Sequence, residues 1–383
     1  MAGPVTVVWD EALAAYDFGP QHPLRPARVQ LTMALARCCG LLKQVRVVGP
    51  APVSGADLTR VHELDYLAAV KAAERGEAAP RFGFGPGDNP PFPGMHEAST
   101  RVCGATVAAA EAVRSGAALH AFSPAGGLHH AMPDRASGFC VYNDPAVAIA
   151  WLLDQGVERI AYVDVDVHHG DGVEAIFADE PRVLTVSLHE SGRYLFPGTG
   201  FAHEVGQGPA EGTVANLPLP PSTTDDLYLP AFDALVPALV RAFQPEMLVT
   251  QLGCDTHYTD HLAHLGLTVN AYRQLAGRLH DLAHTVAGGR WLATGGGGYQ
   301  WAAVVPRAWC AYLAEMVGAE LPERLPPPYL DEAAERFGAM LDPDMADEVV
   351  ALRSEHRARV EAELGRTIEV ARSNLFPLHG LTT

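Results

Sequence analysis

The chain has 383 residues, 48% of them hydrophobic and 19% charged, the balance of a folded globular protein rather than a disordered or fibrous one. Its formal net charge of −18 argues against a nucleic-acid partner, since phosphate contacts need clustered Lys and Arg, and no apolar run reaches the ~18 residues of a membrane span. Six cysteines without a C-x-x-C pair (Cys38, Cys39, Cys103, Cys140, Cys254, Cys310) point to reduced thiols in a cytoplasmic setting, with neither a disulfide framework nor a cysteine zinc site.

Met1–Asp10 lacks the basic start and cleavage pattern of a secretory leader, so none is expected. From there β-rich runs alternate with helical patterns. Strands are predicted at Val5–Trp9, Val45–Val48, Ala118–Phe122, Arg159–Val167, Val183–His189, Met247–Gly253 and Trp291–Thr294. Between them Leu24–Cys39, Val61–Gly76, Met95–Gly116, Pro145–Gly156, Leu227–Phe243 and Tyr272–Ala287 read as helices. Several strands are continuous apolar runs, as in sheets covered on both faces. The alternation predicts an α/β fold: one domain with a mainly parallel central sheet, helices on both faces and an active site at the strand C-terminal ends. Two Pro/Gly-rich segments, Phe82–Gly94 and Phe196–Pro221, are long for plain connections and are expected to be functional loops. After Leu325 a proline break leads into surface helices, so 326–383 reads as a helical extension of the same domain.

The strongest chemical signal is Asp164-Val165-Asp166-Val167-His168-His169-Gly170-Asp171, at the carboxyl end of the fourth strand. If the strand persists, Asp164, Asp166 and His168 project to one side. Acid and imidazole groups there suit zinc or iron(II), and three such groups among apolar Val spacers need a partner. Gln251-Leu252-Gly253-Cys254-Asp255 ends another strand in the same way, so Asp255 is a third ligand candidate, leaving the open position that catalysis requires. Gly126-Gly127-Leu128-His129-His130 follows the third strand. Its two imidazoles could serve as general base and acid, with Asp164 and Asp171 as orienting carboxylates. Gly295-Gly296-Gly297-Gly298-Tyr299 follows the last strand. A phosphate loop would need a following G-K-[ST], so a phenol aimed at a developing oxyanion fits better.

Taken together, G-G-L-H-H-A (126–131), G-F-C-x-x-N-D (138–144), D-V-D-V-H-H-G-D-G (164–172), Phe196-Pro197-Gly198-Thr199-Gly200, G-C-D (253–255) and G-G-G-G-Y (295–299) resemble the histone-deacetylase superfamily. Tyr16-Asp17-Phe18-Gly19-Pro20-x-His22-Pro23 and Gly87-Asp88-Asn89-Pro90 resemble its bacterial acetoin-utilisation (AcuC-like) branch, the resemblance covering roughly residues 5–320. It implies a zinc-dependent deacetylase acting on N-ε-acetyl-lysine, with zinc on Asp166, His168 and Asp255. It further implies that His129 is general base or electrostatic partner, that His130 protonates the leaving amine, and that Tyr299 polarises the carbonyl. Phe139 and Phe196 would wall an acyl-lysine tunnel that passes Gly138, Asp88 would grip substrate amides at its rim, and Arg28 would lie near an acetate exit. Asp164, Asp166, His168, Ser187 and Leu188 correspond to a potassium site. The branch implies an acetylated protein partner, a metabolic enzyme of acetyl-CoA synthesis. The sequence sets no oligomeric state.

Three rivals are weighed against this reading. An acetylpolyamine deacetylase would place a glutamate near the tunnel mouth, where the aligned residue here is Leu262, although Glu97 and the acidic charge keep the idea open. An arginase-like two-manganese hydrolase would need further carboxylates, where His257 and His169 stand instead. A non-catalytic acyl-lysine or small-molecule binding module would keep the fold without hydrolysis.

Overall fold

Residues 3–382 are described by a computed structural model. Among the described residues eight strands form one sheet: β1 Val5–Val8, β2 Arg46–Val48, β3 His120–Ser123, β4 Ile160–Asp164, β5 Val183–Glu190, β6 Val214–Leu219, β7 Met247–Gln251 and β8 Trp291–Thr294. Their order is β2-β1-β3-β8-β7-β4-β5-β6, and every paired neighbour is parallel. Eleven α-helices among the described residues connect and cover the strands: α1 Ala27–Cys38, α2 Gly55–Leu58, α3 Leu64–Ala73, α4 Met95–Arg114, α5 Asp144–Asp154, α6 Asp171–Phe177, α7 Asp225–Phe243, α8 Val269–Ala287, α9 Val305–Val317, α10 Pro327–Phe337 and α11 Ser354–Leu375.

Strand periodicity divides the apolar residues between two cores. On β4, Ala161 and Val163 join one hydrophobic cluster while Ile160 and Tyr162 join the other, because successive side chains leave a strand on opposite faces. The first cluster takes residues of α1, α7, α8 and α9, the second residues of α3, α4 and α5. Both faces are therefore dry, which explains why the strands read as unbroken apolar runs. A single parallel sheet with helices on both faces is the α/β architecture that the sequence predicts.

Three local expectations are corrected. The segment 196–221 is not all loop, because Val214–Leu219 forms the additional strand β6, pairing with β5 in the register His189↔Pro218. It lies at the sheet edge, where the missing N–H of Pro218 faces no further strand. The fourth strand ends at Asp164, three residues earlier than the apolar alternation suggests, and the seventh ends at Gln251. Helix α9, Val305–Val317, lies outside the helices named from the sequence and is buried almost all round. Within 326–383, Val360, Leu364, Leu375 and Phe376 enter the first core. Asp347 accepts hydrogen bonds from His257 Nε2 (3.0 Å), the Val269 amide (2.8 Å) and Arg307 (2.8 Å), so the tail is anchored to the sheet-covering helices. No described helix is long and apolar enough to cross a membrane.

Candidate metal and acid–base site

The four central strands β3, β8, β7 and β4 are adjacent, and each ends in a segment that delivers side chains to one place. This is where an open parallel sheet leaves a crevice. Beyond β4 the chain does not stay extended. The Asp166 amide donates to Asp164 Oδ1 (3.1 Å) and the His168 amide to Asp166 Oδ1 (3.0 Å), so two successive side chain-to-backbone turns fold the segment. It is these turns, rather than a continued strand, that bring Asp166 and His168 together.

Donor atoms of Asp166, His168 and Asp255 all lie within 4.8 Å of one another and all three residues are buried. His168 Nδ1 is 3.1 Å from Asp166 Oδ1 and 3.2 Å from Asp255 Oδ2. Burial and then the Asp166 charge push the Asp255 carboxyl up to about 7. Burial opposes charge on His168, yet its bonds to Asp166 and Asp255 hold it up to about 10. Two carboxylates compressed in a dry site draw a positive charge to His168, a role that a bound divalent ion would take over from its proton. The buried Arg28 does not supply that charge, since its Nη1 donates to the Gly296 and Gly298 carbonyls (2.7 and 3.3 Å). One nitrogen and two oxygen donors fit zinc or iron(II).

The supports of this triad come from residues to which the sequence motifs assign no role. Gln251 Nε2 donates to Asp166 Oδ2 (2.7 Å) and to the Gly127 carbonyl (3.2 Å). The Val167 amide holds Asp255 Oδ1 (2.9 Å) and the Gly297 amide holds Asp166 Oδ2 (2.6 Å). A Cβ on Gly297 would lie 1.9 Å from Asp255 Oδ2. The glycine run thus lets backbone approach the carboxylates directly, as well as turn.

Next to the triad, His129 Nδ1 lies 2.7 Å from Asp164 Oδ2 and His130 Nδ1 lies 2.6 Å from Asp171 Oδ1. Their Nε2 atoms meet at 3.0 Å. Burial opposes charge on His129, but Asp164 and Asp166 outweigh it and raise the group to about 9, while burial and charged His129 lower His130 to about 4. The pair therefore holds one proton between them. Asp164 also accepts from the Tyr162 hydroxyl (2.6 Å).

The loop bearing both histidines is fixed from α5. Asp144 accepts from the Gly127 and Leu128 amides (3.0 and 2.8 Å), and Asn143 Nδ2 donates to the His129 and Ala131 carbonyls, both at 3.0 Å. Asn143 and Asp144 close the G-F-C-x-x-N-D motif, which is the only trace of this role in the sequence.

Tyr299 is buried, its amide held by Asp260 (2.9 Å). Burial, then the charges of Asp255 and Asp166, drive its phenol well above its ordinary value, so it remains a donor. Its ring is edge-on to Phe139 with centroids 5.7 Å apart, and Phe196 is edge-on to His130 at 5.0 Å. Phe139 sits at φ +68°, held by the Tyr16 hydroxyl on its carbonyl (2.7 Å). A Cβ on Gly138 would lie 2.5 Å from the His130 ring. Leu24, Arg28, Leu128 and Cys140 line an inner cavity that reaches His129, His130 and Tyr299. Outside, an open groove of about 630 Å³ is lined by His22, Leu262, Tyr299 and Met340. Asp88 is exposed near this mouth, its carbonyl 3.1 Å from His22 Nε2, whose ring packs on Phe139. Ser187 stands opposite Asp164 in the β4–β5 register, followed by buried Leu188.

Residues tied to the rival readings are engaged elsewhere. Glu97 pairs with Arg101 on α4 (3.1 Å), His257 with Asp347 (3.0 Å) and His169 with Glu174 (2.9 Å).

The histone deacetylase domain model matches residues 22–316. The acetoin utilization protein AcuC of Bacillus subtilis (strain 168) is 42% identical over 327 residues, 84% of either chain. That of Staphylococcus xylosus is 35% identical over 326 residues, covering 83% of this chain and 85% of the relative. The crystal structure of an HDAC homolog from Aquifex aeolicus superposes with a TM-score of 0.83 at 31% identity, covering 96% of this chain and all of the other. That of an HDAC homolog complexed with SAHA gives 0.84, with the same identity and coverage. The chain belongs to the histone deacetylase family, in its AcuC-like branch.

Proposed function

We propose that this member of a deacetylase family hydrolyses the acetyl-amide of N-ε-acetyl-lysine in a protein or peptide, releasing acetate, with zinc held by Asp166, His168 and Asp255. The observation that carries the reading is the meeting of a three-donor cluster, two His–Asp pairs and a buried phenol at the ends of four adjacent strands. Zinc bound there would polarise the acyl oxygen and lower the pKa of a water.

The chain's own residues account for the proton transfers. Asp164 and Asp171 each accept an Nδ1–H, which turns both Nε2 atoms toward the substrate. With one proton between them, one imidazole accepts the proton of the attacking water and the imidazolium donates to the amide nitrogen as the C–N bond breaks. Acetate carries the water oxygen and the lysine leaves as a free amine. The Tyr299 phenol donates to the carbonyl oxygen as its charge develops, and Phe139, Phe196 and Gly138 confine the acyl-bearing stem. Arg28, behind the site, faces the path of the departing acetate.

The open groove beside Tyr299 supports a substrate with more than an acyl chain, and exposed Asp88, whose carbonyl meets His22 of that groove, would accept backbone amides of a peptide. An acetylated enzyme of acetyl-CoA synthesis is the proposed partner. A potassium ion is assigned to the neighbouring Asp164, Asp166, His168, Ser187 and Leu188. Acetate release from an acetyl-lysine peptide and from N-acetylated polyamines, measured side by side, tests the substrate class. Faster turnover of the peptide is expected, and preference for the polyamine would overturn the protein-substrate reading.

A further inference from the structure

A second group of histidines lies at the opposite, amino-terminal end of the strands. His120 is the first residue of β3, whose other end leads to the catalytic loop. His280 and His284 lie four apart on α8 and so share one face of it. Nitrogen atoms of all three rings fall within 4.8 Å of one another. The ring centroids are 4.9 Å (His120–His280), 5.3 Å (His120–His284) and 4.6 Å (His280–His284) apart.

We propose that His120, His280 and His284 form a second metal site, taking a borderline divalent transition ion such as zinc through three imidazole nitrogens. His120 is fully buried, and among the described residues neither of its ring nitrogens has a hydrogen-bond partner. A buried imidazole with both polar atoms unserved is costly, and calls for something that binds a lone pair.

The other two rings can be satisfied without an ion. His280 Nδ1–H can donate to Glu315 Oε1 (3.1 Å) and His284 Nε2–H to His280 Nε2 (3.0 Å). That network leaves both nitrogens of His120 unserved, whereas an ion at the centre takes one nitrogen of each ring. The 3.0 Å Nε2–Nε2 separation is near the ~3.3 Å of two nitrogens on a tetrahedral ion with metal–nitrogen bonds of about 2.0–2.1 Å. Glu315, on α9, would then fix the His280 ring from behind, the usual arrangement of a carboxylate on a metal-bound histidine. Burial, then the neighbouring rings, keeps His120 in its neutral, metal-binding form, its value lowered to about 4. His284 is exposed, so the fourth position opens to solvent. The ion would tie α8 to the start of β3 and, through Glu315, to α9, a structural clamp remote from the acid–base site.

The test is metal content after equilibration with excess zinc and gel filtration, for the unaltered protein, His284→Ala and Asp255→Ala. The expected result is one equivalent fewer in His284→Ala than in the unaltered protein, with deacetylation unchanged. In Asp255→Ala, one equivalent remains and is lost on adding His284→Ala. Equal zinc content in the unaltered protein and His284→Ala would overturn the proposal. Because His284 is exposed, its removal leaves folding intact, and Cu(II) bound to Asp255→Ala should show nitrogen hyperfine coupling that His284→Ala weakens.

Discussion

His129 and His130 are neighbours in the chain, yet their Nδ1 atoms reach carboxylates on different segments, Asp164 and Asp171, while their Nε2 atoms meet at 3.0 Å. Adjacent residues held by separate anchors form a two-imidazole device whose proton is shared. Replacing one anchor should therefore disable one imidazole and leave the other oriented. Asp171→Asn is expected to lower kcat about 10²–10⁴-fold, judging from general acid–base contributions and from loss of an orienting carboxylate elsewhere. Metal content should be unchanged, and a variant with near-normal kcat would remove Asp171 from the reaction.

Tyr299 brings one buried phenol to the site, with no charge of its own. Tyr299→Phe deletes the hydroxyl alone. Loss of a single oxyanion donor costs about 3–4 kcal/mol, or roughly 10²–10³ in kcat. KM and zinc content should change little. Turnover close to the unaltered protein would contradict the role given to the phenol.

Gln251 is fully buried, and its amide holds Asp166 Oδ2 at 2.7 Å and the Gly127 carbonyl at 3.2 Å, linking the three-donor cluster to the histidine loop. Gln251→Ala should weaken zinc affinity about 10–100-fold, as is typical of partners behind metal ligands. Competition with a chromogenic chelator reads this directly, and unchanged affinity would show that Asp166 is positioned by other bonds.

His62 gives the protein a pH-dependent anchor apart from the metal site. Its Nδ1–H donates to the Met132 carbonyl (3.0 Å) and its Nε2 accepts the Asn143 amide (3.0 Å), an arrangement open only to the neutral ring. Burial lowers it from 6.5 to about 4. Between those values the unfolded chain binds the proton and the folded one does not, so stability is full above pH 6.5 and falls on acidification toward pH 4. The loss is about 3 kcal/mol. His62→Gln should flatten that part of the stability profile measured by urea unfolding. An unchanged acid slope would assign the loss to other groups.

Much of this arrangement is legible in the sequence because each cluster of polar residues follows an apolar strand. Asp164, Asp166, His168, Asp255, His129, His130 and Tyr299 were all placed by that signal. The means of convergence was not. Strand β4 stops at Asp164, and the turns that bring Asp166 to His168 depend on hydrogen bonds invisible to an alternation count. Strand β6 was hidden by Pro218, which only an edge position tolerates. Gln251, Asn143 and Asp144 were missed as supports because their partners lie on other elements, and nothing local to an amide or a helix-capping acid reveals such a partner. Gly138 reads only as a position on the implied tunnel, and Gly297 as a turn former. Their close approach to His130 and Asp255 is visible only in three dimensions.

The most direct test of the account is acetate release from an acetyl-lysine peptide by chelator-stripped protein before and after zinc is restored, beside Asp255→Ala treated identically. The expected result is turnover only in the zinc-restored unaltered protein, with Asp255→Ala inactive and lacking the catalytic ion. Equal turnover by stripped and restored protein, or none by protein with zinc shown to be bound at Asp166, His168 and Asp255, would contradict it.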